Sequence, residues 1–497
     1  MPGGRGRLLR QVAPVCVPIL FAVFPLLSLY KDNQTEVEVG ALWWPIVLCV
    51  LAAALLYGIF LLVFKEGTKA AALSSLVLVG FFYYGIYKWS LALWIGLFVL
   101  GLVVLVTIRR GLGTLTLGLS VAALVLVVPS VAGIASYEAD QPSLDSGDPH
   151  VWPTALHDPV LPTGARRPDI YFLIPDDYAR QDILKKYFHY DNSGFIDQLK
   201  RRGFVVPSQS RSPYSDSEMN IAAAVNMDYL SRLPSILGKD SQDVRPVRRL
   251  IHDNRASRLL KSLGYRYVHL DTDEVTFPVG NPHISRVATP DSFMTLWMQQ
   301  SILSKVGGLG GFNEGATNER FRNTIRSTFD QLDAVPPEPG PKFVLFHTLM
   351  PHDPYIFGPR GEDSTFPNHT EEGHTRKIGM RYYVKQAKFT ETKLLEATDA
   401  ILAKSKEPPI IVLQADEGFE ANEKDWGEAA VRDMRVKGIS ALHLPGMRGV
   451  RPPEQLNTVN TLRFVFNRYF GTRYPLLANA SYPELDLPYQ FEAMKVR

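Results

Sequence analysis

Three short stretches put paired acids, or a histidine beside an acid, straight after apolar runs. They are Asp176 and Asp177 in "LIPDDYARQD", His352 and Asp353 in "MPHDPY", and Asp416 and Glu417 in "QADEG". Adjacent carboxylates repel, and repulsion raises one pKa unless a cation neutralises the pair. A divalent metal is the simplest such cation. Oxygen-rich ligands favour Mn²⁺, Mg²⁺ or Ca²⁺, whereas a larger share of histidine would favour Zn²⁺. Taken singly, each pair is most often a turn or a helix cap; three of them at three strand ends point to a metal site.

A nucleophile for such a site falls in "SRSPYSDSEMNIAAAVNMDYL", residues 210–230. Ser215 and Glu218 have capping-box spacing ahead of a helical run, which makes Ser215 the expected N-cap. Ser217 then lies in the first helical turn, where backbone N–H groups and the helix dipole attract anions and help a hydroxyl ionise beside a metal. A lone serine there is usually structural, so Ser217 depends on the acids around it. Among the remaining histidines, His347 lies inside an apolar strand and reads as a core residue. His269 and His283 read as solvated loop residues, and His443 in "ALHLPG" follows an apolar strand that could bring it near the metals. Arg180, Lys185 and Lys186 follow the first acidic pair and either draw in an anionic head group or form a solvated helix face.

The elements that must position these groups alternate along residues 169–497. "DIYFLI" (169–174), "YRYVHL" (265–270), "KFVLFHTLM" (342–350) and "PIIVLQA" (409–415) have strand length and apolar continuity; "NSGFIDQLKRRG" and "YVKQAKFTETKLLEATDAILAKS" have helical patterns. Such alternation implies an α/β domain whose mostly parallel sheet is covered by helices on both faces. Sites in open α/β sheets lie beyond the carboxyl ends of the strands, where all three acidic stretches fall.

The first quarter of the 497-residue chain is of another kind. A bilayer core about 30 Å thick needs roughly 20 apolar helical residues. Stretches 11–30, 41–64, 70–87, 91–108 and 113–135 read as five such spans, an α-helical transmembrane bundle occupying 1–136. Arg5, Arg7, Arg10, Lys65, Lys69, Arg109 and Arg110 fall on one side of it, against Lys31 and Lys88 on the other, so the amino terminus is expected in the cytoplasm and everything after 137 outside. The spans hold few ionisable groups, which argues for an anchor and against an ion path. Residues 137–168, rich in Pro and Asp, read as an extended linker. The net charge of +3 comes with no basic stripe, so no nucleic-acid partner is expected. Both cysteines, Cys16 and Cys49, lie in the apolar part; the remainder has no disulfide frame, thiolate zinc site or cysteine nucleophile.

In order, "PDIYFLIPDDYAR", "YDNSGFIDQLKRRGF", "SRSPYSDSEMNIAAAVNMDYL", "FHTLMPHDPY", "KLLEATDAILAKS", "IIVLQADEG" and "LNTVNTLRFVFNRYFGTRYPLL" resemble the sulfatase-like branch of the alkaline phosphatase superfamily. Five spans followed by an external domain resemble the lipoteichoic acid synthase type of membrane phosphoglycerol transferase. The resemblance implies Asp176, with Asp177, Ser217, Asp416 and Glu417 as metal ligands, Ser217 also being the nucleophile, and His352 at the transferred group or the leaving oxygen. Ser215 and Ser212 stay open as alternative nucleophiles. The late pair here is Asp416–Glu417, where the family has Asp-His. The sulfatase signature of Cys or Ser, any residue, Pro, a small residue and Arg is missing.

The resulting expectation is a membrane-anchored, metal-dependent transferase. It would move a phosphoglycerol or phosphoethanolamine group from a membrane lipid donor to a cell-envelope glycan or polymer acceptor through a covalent serine. Mn²⁺ is the first choice of cation, with Mg²⁺, Ca²⁺ and Zn²⁺ as alternatives. An anchored phosphodiesterase or sulfatase-like hydrolase, and a non-catalytic glycan binder, are the competing readings.

Overall fold

A computed structural model of the protein describes residues 4–491 apart from 85–89, 109–111, 143, 163, 272–291, 303–313, 365–375, 422, 448 and 483–486. His283 lies outside the described residues. The chain divides into two compact units, Met1–Gln141 with Pro290–Thr317, and Pro142–Thr289 with Asn318–Arg497.

In the first unit the helices are Gly4–Asp32, Trp43–Phe64, Gly67–Phe82, Leu91–Thr107 and Leu112–Ala139. Gly4–Asp32 packs against Trp43–Phe64, Gly67–Phe82 and Leu112–Ala139. Among the described residues, three segments are long and apolar enough to cross a membrane: Pro14–Asp32, Val39–Phe64 and Leu112–Ala139. Gly67–Phe82 and Leu91–Thr107 are shorter, at 16 and 17 residues, or about 24–26 Å at 1.5 Å per residue. Large apolar side chains such as Leu55, Leu62, Leu117 and Val125 are about two-thirds exposed or more, as lipid-facing positions are. The helix Ser292–Gln300 also belongs to this unit, contrary to the single carboxyl-terminal domain read from the sequence. Its Phe293 and Trp297, one helical turn apart, are buried, with the Trp297 ring stacked 5.1 Å from Phe82.

A six-stranded sheet forms the heart of the second unit. Its strands are β1 (Ile170–Pro175), β2 (Phe204–Val205), β3 (Arg266–Asp271), β4 (Lys342–Thr348), β5 (Ile410–Gln414) and β6 (Ser440–His443), in the order β2-β6-β5-β1-β4-β3. β5, β1, β4 and β3 are parallel, while β6 runs antiparallel to both β5 and β2. Alternation along the strands feeds two cores. Tyr171, Leu173, Val344, Phe346, Ile411 and Leu413 face the helices Gln181–Phe188, Ser193–Arg201 and Arg376–Lys404. Ile170, Phe172, Ile174, Phe343, Leu345 and Val412 face Ser217–Asn226, Arg245–His252 and Thr458–Tyr469.

The stretch 137–168 is not a free linker. The helix Leu112–Ala139 takes its first residues, and from Pro142 on it belongs to the second unit. Val151 and Trp152 are buried there; the Trp152 indole N–H donates to Ser146 O at 2.8 Å, and the Arg255 guanidinium sits 5.4 Å over its ring. The buried indole helps to fix a Pro-rich segment whose backbone is already stiff.

Candidate active site

β1, β4 and β5 run in the same direction, so their carboxyl ends share one edge of the sheet. Ile174 pairs with His347 and Leu173 with Leu413. Side chains alternate, so the parity that sends Ile174, Leu345 and Val412 toward the helix Ser217–Asn226 passes next through Asp176, His347 and, two steps on, Asp416. His347 Nε2 lies 3.6 Å from Asp416 Oδ2 and 3.8 Å from Asp176 Oδ2, and all three residues are buried. His347 is therefore no ordinary core histidine, as the apolar run around it suggested. It brings an imidazole from β4 into a cluster whose β5 end carries Glu417 in place of a histidine.

Asp177 turns the chain out of β1 with a left-handed backbone, φ 61°, a conformation that Asp tolerates better than most residues. The Tyr383 hydroxyl secures this turn, donating to Asp177 O at 2.8 Å and accepting from the Ala179 N–H at 3.1 Å. The Glu420 N–H donates to Asp177 Oδ1 at 2.9 Å, and Glu420 Oε2 is 3.1 Å from His352 Nε2. Among the described residues, three sets of ligand atoms each gather within 4.8 Å: Asp176, His347 and Asp416; Asp176, Asp177 and Glu417; Asp177, His352 and Glu420. Glu420 escaped the sequence reading because no pattern marks a loop that folds back on the strand end it has just left.

Ser217 opens the helix Ser217–Asn226, and its hydroxyl donates to Asp176 Oδ1 at 3.3 Å. The N-cap is Asp216, whose carboxylate accepts from the Met219 N–H at 2.9 Å; Ser215 does not fill that role. The shift by one residue follows from Glu218, which pairs with Arg248 at 2.6 Å and so is not available to complete a capping box with Ser215. Asn220 clamps the approach by accepting from the Tyr214 N–H and donating to the Tyr214 carbonyl, both at 2.9 Å. The Ser212 hydroxyl donates to the Tyr214 carbonyl at 3.2 Å, and buried Ser215 Oγ makes no hydrogen bond among the described residues. Of the three serines, Ser217 is the one hydrogen-bonded to the acidic cluster.

Electrostatics at this edge are unfavourable for the protein alone. Burial, and then the Asp416 carboxylate, hold Asp176 well above the usual carboxylate range. Burial, and then Asp177 and Asp416, do the same to Glu417. Asp177 is pushed up to about 8, chiefly by burial, with His352 opposing. At His352 burial disfavours the imidazolium, yet Asp176 and Asp177 outweigh it and raise its pKa. Buried Asp416 Oδ2 and Glu417 Oε2 make no hydrogen bond among the described residues, a costly state for carboxylate oxygens. Oxygen donors in this number, with one imidazole deep among them and another at the rim, fit a divalent cation.

Two residues expected to bind substrate stand elsewhere. The Arg180 guanidinium is buried and forked onto Asp182 at 2.6 and 2.8 Å, with a further bond to Ser210 O at 2.7 Å; it braces the start of the helix Gln181–Phe188. His443 pairs with Ile411, and Ser440 with Gln414. Because β6 runs antiparallel, His443 lies beside Ile411, five residues or about 16 Å along the strand before Asp416. There its Nδ1 meets Pro409 O at 2.9 Å and its ring packs on Phe204.

No family model and no curated protein matches the chain. Among solved structures, it is similar to the C-terminal periplasmic domain of EptC from Escherichia coli in complex with Zn (11% identity, TM-score 0.40, covering 64% of this chain and 87% of that one). It is similar also to the integral membrane lipooligosaccharide phosphoethanolamine transferase A from Neisseria meningitidis (10%, TM-score 0.41, 91% and 95%). A third similar structure is a protein in the alkaline phosphatase superfamily from Vibrio parahaemolyticus (14%, TM-score 0.38, 69% and 79%).

Proposed function

We propose that the protein is a membrane-anchored, metal-dependent transferase that moves a phospho-alcohol group, phosphoethanolamine or phosphoglycerol, from a lipid donor to a hydroxyl of an envelope glycan or polymer. The observation that carries this reading is Ser217, partly exposed at a helix start, with its hydroxyl 3.3 Å from a buried carboxylate of a seven-residue cluster of acids and imidazoles. The ordered motifs that resemble the sulfatase-like branch of the alkaline phosphatase superfamily agree with it, as do the apolar helices, read as five spans with the second unit outside.

Asp176, Asp177, His347, Asp416 and Glu417 would hold the cation, with Mn²⁺ or Zn²⁺ favoured over Ca²⁺ by the imidazole. When bound, it would offset the clustered negative charge, make the serine hydroxyl more acidic and neutralise charge on the phosphate oxygens. Ser217 Oγ passes its proton toward Asp176 Oδ1 and attacks phosphorus; the bond to the lipid alcohol breaks as the Oγ–P bond forms. His352, partly open to solvent and 3.1 Å from Glu420 Oε2, gives a proton to the departing oxygen. The acceptor hydroxyl then attacks phosphorus, giving its proton to His352, and the Oγ–P bond breaks as Ser217 takes back the proton held at Asp176.

The test uses full-length protein in detergent with Mn²⁺ and radiolabelled phosphatidylethanolamine or phosphatidylglycerol in separate arms. Label is expected on Ser217 by peptide mass spectrometry and is expected to vanish in Ser217→Ala. Label on Ser212 or Ser215 would overturn Ser217 as the nucleophile, and label on no residue while lipid is consumed would overturn the covalent serine. Release of phospho-alcohol to water at the same rate with and without added acceptor would instead make the protein a hydrolase.

A further inference from the structure

A second concavity lies at the same edge of the sheet. The helix Glu428–Arg435 follows the Asp416–Glu420 loop and is anchored to it, the Gly418 N–H donating to Arg435 O at 2.7 Å. Across from it is the last turn of Gln181–Phe188. Between them lies a groove of about 720 Å³ that opens widely to solvent, within the range of about 300–1,000 Å³ typical of ligand clefts. It carries four cations, Lys186, Arg211, Arg432 and Lys437, against two acids, Glu428 and Asp433. Asp433 is shared between Lys186 and Lys437, and Glu428 pairs with Arg432. Both acids are thus engaged.

Arg211 is left over. Its backbone is fixed, with its N–H donating to Leu456 O and its carbonyl accepting from the Thr458 N–H, each at 3.2 Å. Its guanidinium makes no hydrogen bond or ion pair among the described residues. Burial, and then the nearby Arg180, work against its charge and outweigh Asp433 and Asp182, so a further anion at this point would be stabilised. Beside it the groove presents aromatic surface. The Trp426 and Tyr187 rings, 5.9 Å apart and edge to face, are each partly exposed. A flat ring next to a fixed guanidinium suits a sugar that carries an acid, the ring covering the C–H face and the guanidinium taking the anion.

The groove also touches the cluster through the chain. Lys437 lines it, and the next residue, Gly438, approaches the Glu417 carbonyl so closely that a Cβ would lie 2.4 Å from that oxygen. Arg211 lies six positions before Ser217 in the chain.

We propose that this groove binds an acidic saccharide, a sugar unit bearing carboxylate or phosphate, as the recognition element of the acceptor. The proposal names the acceptor class for the transferase reading and rests on it for that role; the binding itself does not.

Isothermal titration of the full-length protein, made inactive by Ser217→Ala, tests the binding with tetragalacturonate as probe, maltotetraose as neutral control and inorganic phosphate as competitor. Tetragalacturonate is expected to bind, at least tenfold more weakly in Arg211→Gln and in Trp426→Ala, while maltotetraose gives no heat. Equal affinity in the variants, no binding of tetragalacturonate, or its displacement by equimolar phosphate would overturn the proposal. Arg432→Gln, at an exposed helix position, replaces either variant that fails to fold. Absence of Ser217 labelling by the lipid donor in the wild-type chain, with tetragalacturonate binding intact, would count against the transferase alone.

Discussion

Asp177 illustrates what the acidic edge costs the protein alone. Its pKa of about 8 in the folded state is far above the ordinary 3.8, so the folded state binds its proton more tightly than the unfolded one. The contribution is fully present below about pH 4 and is lost as pH rises through about 8. In EDTA, the melting temperature of the purified protein is expected to fall between pH 5 and pH 9, and less steeply in Asp177→Asn. A cation should reverse the slope, since its ligands must be deprotonated. A flat or rising profile in EDTA would refute this. His347 yields a separate prediction: His347→Ala is expected to weaken Mn²⁺ binding by at least about tenfold by titration calorimetry, with the β4 pairing intact by circular dichroism. Unchanged affinity would make it a packing residue after all.

At the scale of elements, the helix Ser217–Asn226 is short and buried along nearly its whole length, with Ala222, Ala223 and Ala224 letting it lie close on the sheet. Ten residues have little helical stability of their own, so the cap matters. Asp216→Ala is expected to cost about 1 kcal/mol in urea unfolding and to reduce Ser217 labelling by more than that loss explains. Asp216→Asn, which keeps an acceptor at the cap, should restore most of both. Two glycines allow the loops to close over the acids. A Cβ on Gly418 would lie 1.9 Å from Met434 O, and one on Gly438 would meet Glu417 O. Gly438→Ala is therefore expected to lower both the melting temperature and metal affinity, whereas Gly446→Ala, with open space around it but a positive φ of 77°, should cost stability only. The parallel strands were legible because each is a continuous apolar run. The direction of β6 was not, since "SALH" reads the same in a parallel or an antiparallel neighbour, and that direction removes His443 from the site.

Over the whole molecule, the apolar helices and the Lys and Arg counts predict an amino terminus in the cytoplasm and the second unit outside. Trp43 and Trp44, exposed and stacked at the start of the helix Trp43–Phe64, sit where aromatic side chains meet the membrane interface. In a chain whose two cysteines are replaced, His150→Cys is expected to react with an impermeant maleimide on intact cells; labelling only after lysis would reverse the orientation. The sequence by itself determined the apolar helices, the α/β character of the second unit and the strand ends where acids gather, because all of these follow from local runs of apolar residues and the short patterns that end them. Tertiary structure alone decided that Glu420 returns to Asp177 and that His347 joins Asp176 and Asp416. Those facts depend on which strands become neighbours and in which direction, and contacts between residues tens to hundreds of positions apart leave no periodicity along the chain.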